Sequence, residues 1–157
     1  MLILSGDVPL LEASTLRALL DAAASSPAGL ALATFFPASS TGYGRILRGA
    51  DGAVVGIREE RDCDAEARRI AECNAGVYCA AAGLLRDELP GVGADNAQGE
   101  IYLTDLVARA ARRGRVAAVT VEEVEVAGVN TPEQLAALEA IARARGPAGR
   151  WRDRGAL

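Results

Sequence analysis

The most constraining stretch of this chain is its first apolar run, Leu2-Ile3-Leu4, which breaks at Ser5-Gly6-Asp7-Val8-Pro9-Leu10. A short run without polar alternation reads as a strand buried on both faces, the pattern of a parallel sheet. Pro9 lacks the N–H that a continuing strand would need, so the strand must end before it. Asp7 is therefore placed just past the carboxyl end of a buried strand, where open α/β sheets bind their ligands. A carboxylate there suits a hard divalent cation such as Mg²⁺, which keeps several positions for waters and substrate phosphates. An Asp at this point can also open a turn or cap the next helix. These residues alone leave both readings open.

The following segments alternate between the two kinds of periodicity. Leu11 to Ala24 carries Leu16, Leu19, Leu20 and Ala23 at helical spacing, and Ser25-Ser26-Pro27 ends it. Leu30 to Phe36 reads as a second strand, which makes a β-helix-β unit with a parallel pair. Arg45 to Arg48 and Ala53 to Glu60 flank Ala50-Asp51-Gly52, a hairpin signal because Gly reaches positive φ at little steric cost. Asp64 is placed to cap a short helix, Asn74 to Ala80 returns as a strand, and Leu84 to Leu89 is a short helix closed by Pro90 and Gly91.

Tyr102 to Arg113 puts Leu103, Leu106, Val107 and Ala110 on one helical face, with Arg109, Arg112 and Arg113 as a solvated, dipole-compatible end. Val116 to Val126 is β-branched, with Glu122, Glu123 and Glu125 expected at an edge or surface. Thr131 is a natural cap for a helix over Pro132 to Arg145. Residues 146–157 are rich in Arg and Gly and read as a tail or the start of a linker. The fold class expected is α/β, a mixed sheet with a hairpin insertion. A strand at residues 2 to 4 that is buried on both sides needs neighbours, so an N-terminal part of the domain is expected to be missing.

Composition decides which chemistry is possible. All 17 basic residues of the 157 are Arg, with no Lys and no His, so Lys nucleophiles, Schiff bases, His triads and His metal sites are excluded from this chain. The net charge of -4 gives no global basic field for nucleic acid or an anionic membrane. Cys63, Cys73 and Cys79 have neither zinc-site nor disulfide spacing and read as reduced small residues of a cytoplasmic protein. The first apolar run is too short for a signal peptide or a membrane span. Taken singly, Glu59 and Glu60 read as solvated carboxylates, Asn74 as a structural amide and Asn130 as a cap or turn residue.

Their order along the chain says more. Gly6-Asp7-Val8-Pro9-Leu10, Thr41-Gly42-Tyr43-Gly44-Arg45-Ile46, Glu59-x-x-Asp62, Asn74-Ala75-Gly76, Asn96-Ala97-Gln98-Gly99-Glu100-Ile101-Tyr102-Leu103-Thr104-Asp105 and Gly128-Val129-Asn130-Thr131 occur in one series. The series resembles the C-terminal part of the uridyltransferase domain of the bacterial bifunctional N-acetylglucosamine-1-phosphate uridyltransferase and glucosamine-1-phosphate acetyltransferase family. The resemblance covers residues 2 to about 145, and the segment from Asn96 to Asp105 is its most specific part.

The resemblance implies a Rossmann-like nucleotidyltransferase fold, that of nucleotide-diphospho-sugar transferases, with residues 1–145 as a partial uridyltransferase domain. It implies that UTP and N-acetylglucosamine 1-phosphate give UDP-N-acetylglucosamine and pyrophosphate with Mg²⁺, a step in peptidoglycan and cell wall biogenesis. Transfer of this kind depends on positioning and electrostatics, so the lack of His and Lys is no obstacle. Carried over position by position, Asp7 is catalytic and holds Mg²⁺ with Asn130. Gly6, Asp7, Gly44, Glu59, Asn74 and Asn130 line the substrate. The cytoplasmic homotrimer of the family depends on a β-helix domain that has no counterpart here.

Some features depart from the family pattern. The Gly-rich signature with its phosphate-gripping Arg and Lys is absent, as is the segment that reads uracil. Ser5 stands where Tyr is common, Arg61 where Lys is common, and Asn74-Ala75-Gly76 replaces Asn-Thr-Gly. The lone chain is therefore expected to show little or no uridyltransferase activity. Transfer to another sugar or base, or a non-catalytic sugar-nucleotide-binding remnant, are the competing readings.

Overall fold

A computed structural model describes residues 1–94 and 96–145; the expected tail at 146–157 lies outside the described residues. The sheet is built around β5 (Cys73–Ala80), whose apolar and aromatic run is buried from Val77 to Ala80. On one side it pairs antiparallel with β2 (Leu30–Phe35). On the other it pairs with β1 (Leu2–Ile3) at one end and β3 (Arg45–Arg48) at the other, both antiparallel. β4 (Val54–Arg58) extends β3, and β6 (Ala117–Thr120) runs parallel to β2. The order is β4-β3-β5-β2-β6 with β1 beside β5, a mixed six-stranded sheet.

Two expectations about the first strand are corrected here. β1 and β2 run in the same direction but are not a pair, because β5 is inserted between them. Nor is β1 buried on both faces: Leu2 and Ile3 are half-buried and Leu4 is 48% exposed. Only its β5 edge has a strand partner among the described residues. The doubly covered strand is β2, all six of whose residues are buried. Leu30 and Leu32 face a core completed by α2 (Ala82–Glu88) and α3 (Asp105–Arg113), with Leu84, Leu85, Leu106, Val107 and Ala110. Ala31, Ala33 and Phe35 face α1 (Ala13–Ser25), with Leu19 at its centre. Period-two alternation thus divides one strand between two cores.

The hairpin is where the sequence puts it: Gly52 takes φ +74° and its N–H donates to the Gly49 carbonyl at 2.9 Å. Asp64 caps its turn by accepting from the Ala67 N–H at 2.8 Å. The arginines of α3 are not simply solvated. Arg109 Nε pairs with Glu88 Oε2 at 2.8 Å and Arg113 Nη1 with Asp87 Oδ2 at 3.2 Å, which ties α3 to α2.

Beyond Thr120 the expected strand ends early. Residues 123–126 form a 3-10 turn, because Glu125 turns inward instead of facing solvent. Its carboxylate is buried and accepts from the Thr15 hydroxyl at 2.6 Å and the Glu12 N–H at 3.4 Å. No described helix is long and apolar enough to cross a membrane.

The last helix, α4 (Pro132–Ala144), begins with a capping box. Thr131 Oγ1 accepts from the Gln134 N–H at 3.3 Å, and Gln134 Oε1 accepts from the Thr131 N–H at 3.1 Å. Leu138 is its one buried residue. Thr131→Ala is expected to destabilise α4 by about 1 kcal/mol. Faster amide exchange in α4, with the sheet unchanged, is the measurement that checks it.

Candidate functional site

The carboxyl ends of β1, β2 and β6 and the amino end of β5 lie at one end of the sheet, and the expected site residues collect there. They form two groups. The first joins Asp7 to Asn130 across Gly128. The Asp7 carbonyl accepts from the Val129 N–H at 2.9 Å, so the loop after β1 is fixed to the loop before α4. A Cβ on Gly128 would stand 2.9 Å from Asp7 Oδ2 and 3.7 Å from Asn130 Nδ2. Only a residue without a side chain leaves the carboxylate and the amide in that space. Asn130 is held from behind, its N–H donating to Gln134 Oε1 at 2.7 Å. The buried Glu125–Thr15 bond joins the segments that carry both residues.

The second group joins Gly44, Glu59 and Asn74. The Gly44 carbonyl accepts from the Asn74 N–H at 2.8 Å, and a Cβ on Gly44 would meet Ile57 Cγ2 at 2.9 Å and Glu59 Oε2 at 3.3 Å. Glycine is needed here for close approach. Glu59 is half-buried and its Oε1 accepts from the Thr104 hydroxyl at 2.7 Å. Asn74 Nδ2 donates to the Tyr78 hydroxyl at 2.7 Å, while Oδ1 accepts from the Gly76 N–H at 3.1 Å. Gly76, at φ +71°, stands between the groups: the Ser5 hydroxyl donates to its carbonyl at 3.5 Å, two residues before Asp7. Gly6 itself is exposed and has open space around it, so no close contact requires glycine there.

Glu59 and Glu60 are not a solvated pair. Glu60 Oε2 meets Arg45 Nη2 at 2.7 Å, and Oε1 meets Arg68 Nη1 at 3.0 Å. Arg45 is 3% exposed and also donates to the Tyr43 carbonyl. One ion pair thus joins the residue after Gly44 to the residue after Glu59. Tyr43 in turn packs edge-to-face on Phe35, with ring centroids 4.9 Å apart.

The Asn96 to Tyr102 segment is braced by its own side chains. Asn96 Oδ1 accepts from the Gln98 and Glu100 N–H groups at 3.1 and 3.2 Å, and Gln98 Nε2 donates to the Tyr102 hydroxyl at 2.6 Å. Asp62 Oδ1 accepts from the Ala97 N–H at 2.8 Å, and Arg61 donates to Gln98. This docking delivers Thr104 to Glu59. Arg45, Tyr78 and Thr104 also belong to the site, though none of them stands out as a site residue in the sequence. The signal for Thr104 and Arg45 was their place within two of the motifs; for Tyr78 there was none beyond an aromatic in a strand.

Burial raises the Tyr78 phenol far above its ordinary pKa, against the lowering effect of the Asn74 bond, so it stays protonated. Burial likewise pushes up the Cys63 and Cys73 thiols, which with Cys79 are free and buried. They act as small core residues. Among the described residues no three His, Cys, Asp or Glu side chains gather as a metal cluster. The Gly128 space holds the Asp7 carboxylate and the Asn130 amide, whose Nδ2 faces it; with that amide turned over, one carboxylate and one amide oxygen would suit a cation of the Mg²⁺ type, whose remaining ligands are waters and phosphates.

The mixed α/β sheet has the nucleotidyltransferase fold of solved structures. CMP:2-keto-3-deoxy-manno-octonic acid synthetase complexed with CTP matches with a TM-score of 0.61 at 15% identity, over 92% of this chain and 61% of that one. A nucleoside-diphosphate-sugar pyrophosphorylase from Vibrio cholerae RC9 matches at 0.56 and 14% identity, over 75% of this chain and 48% of that one. No family model matches the chain.

In sequence, the chain resembles part of the bifunctional protein GlmU. It is 50% identical over 145 residues to GlmU of Sorangium cellulosum, covering 90% of this chain and 30% of that protein. To GlmU of Geobacter metallireducens it is 44% identical over 172 residues, covering 100% of this chain and 36% of that protein. The chain spans about a third of the length of these curated relatives.

Proposed function

We propose that residues 1–145 form the sugar-nucleotide-binding part of a cytoplasmic uridyltransferase domain. The reaction is that of UTP with N-acetylglucosamine 1-phosphate, giving UDP-N-acetylglucosamine and pyrophosphate. The observation that carries this reading is the convergence of Asp7 with Asn130, and of Gly44 with Glu59 and Asn74, at one end of the sheet. Glu59 accepts from sugar hydroxyls, Asn74 offers both a donor and an acceptor, and Gly44 lets the sugar approach its backbone. Asp7 and the Asn130 amide oxygen would hold Mg²⁺, which supplies charge neutralisation on the phosphates when bound. The chain's own residues orient the sugar phosphate, so that one of its oxygens faces the α-phosphorus of UTP in line. Bond making then needs no protein nucleophile.

Ligand binding is the direct test, because this sequence lacks a Gly-rich phosphate signature. UDP-N-acetylglucosamine with Mg²⁺ should raise the melting temperature, by about 2.7 kcal/mol of stability at a ligand excess of about 100-fold over Kd. Thymidine- and guanosine-diphosphate sugars should stabilise less. Equal stabilisation by those sugars would favour transfer of another base. A flat response to all of them, together with association that rises with protein concentration, would favour a non-catalytic remnant.

A further inference from the structure

In a regular strand, Asn74 and Tyr78 would lie about 13 Å apart along β5, out of reach of a shared hydrogen bond. The register shows why they meet. Tyr78 faces Leu32 on β2 while Asn74 faces Thr34, so four steps along β5 answer two along β2. The intervening Ala75-Gly76-Val77 forms a bulge, with Gly76 at φ +71°. The bulge shortens their separation along the sheet to the two-residue step from Leu32 to Thr34. Asn74 Nδ2 then donates to the Tyr78 hydroxyl at 2.7 Å, and the Gly76 N–H donates to Asn74 Oδ1 at 3.1 Å.

Both ends of the amide are therefore assigned, which leaves one N–H and one lone pair of Asn74 for a ligand. Tyr78 is 5% exposed, and its ring is seated in the core among Leu32, Leu106 and Val107, so the hydroxyl is a fixed post.

We propose that Tyr78 is a positioning residue for substrate, acting through Asn74 and fixing which face of the amide meets the sugar. The ligand in this inference rests on the sugar-nucleotide reading above. Tyr78→Phe keeps the ring and removes only the oxygen. Asn74 Nδ2 then loses its partner, and the amide is free to rotate.

Titrations of the full chain with UDP-N-acetylglucosamine and with UDP, each with Mg²⁺, separate the sugar contribution. Tyr78→Phe should weaken UDP-N-acetylglucosamine binding about tenfold and leave UDP unchanged. Asn74→Ala should do the same, and the double variant should bind no worse than Asn74→Ala alone. Equal weakening of both ligands, or losses that add in the double variant, would overturn the proposal. If the wild-type chain binds the sugar nucleotide no better than UDP, the uridyltransferase reading fails and the positioning claim is decided by NMR. The Asn74 side-chain amide resonances should move and exchange faster in Tyr78→Phe. If they do not change, the proposal is overturned.

Discussion

Asp7→Asn is expected to abolish the effect of Mg²⁺ on sugar-nucleotide binding while leaving the fold intact. Asp7 is exposed and its side chain carries no core contact, so its loss as a charge should change stability by less than about 0.5 kcal/mol. The carboxylate is the one formal negative charge in the Asp7–Gly128–Asn130 group, and an amide in its place cannot offset a divalent cation. Affinity for UDP-N-acetylglucosamine in Mg²⁺ should fall at least about tenfold, to the value measured with a chelator. Gly128→Ala offers a second route to the same end. The added Cβ would come within 2.9 Å of Asp7 Oδ2, the free end of a side chain that can turn away. The fold should therefore tolerate it while the metal effect is lost. Calorimetric titration of the wild type and both variants, with and without Mg²⁺, decides the matter. A metal-dependent gain that survives in Asp7→Asn would remove Asp7 from the metal site.

What could be read from the residues was the local order of elements and the positions of the motifs. The hairpin at Asp51-Gly52, the apolar strand at β2 and the Thr131 cap all rest on short-range chemistry, which a sequence displays directly. What could not be read depends on partners far along the chain. β5 lies between β1 and β2 although it follows them by many residues. Glu125 looks like a surface carboxylate until Thr15, 110 positions away, donates to it. In the candidate site the motif glycines could be named from sequence, but the reason for them could not. Gly44 is needed because Ile57 and Glu59 occupy the space where a side chain would stand, and Gly128 because Asp7 does, and none of these contacts is local. The bulge at Ala75-Gly76-Val77 is a property of pairing with β2 and leaves no periodicity to detect.

Glu60→Gln is expected to cost more stability than any surface change in this chain, about 3 kcal/mol, because it leaves the Arg45 guanidinium buried without a counter-charge. The effect should be lopsided. Arg45 is 3% exposed, and its Nε finds no hydrogen-bond acceptor among the described residues. Glu60 reaches solvent and keeps Arg68 as a second partner. Arg45→Met removes the buried charge and fills the space with a flexible apolar chain, so it should cost only about 1 kcal/mol. In the double variant no unpaired charge stays inside, and it should be more stable than Glu60→Gln alone. Urea unfolding of the four proteins gives the coupling directly. Equal single costs that add in the double variant would mean that the pair is not coupled. The pair also joins the segments carrying Gly44 and Glu59, so sugar-nucleotide affinity should fall in Arg45→Met even where its stability is nearly intact. A chain that kept full affinity after that change would show that Gly44 and Glu59 hold their places without the ion pair.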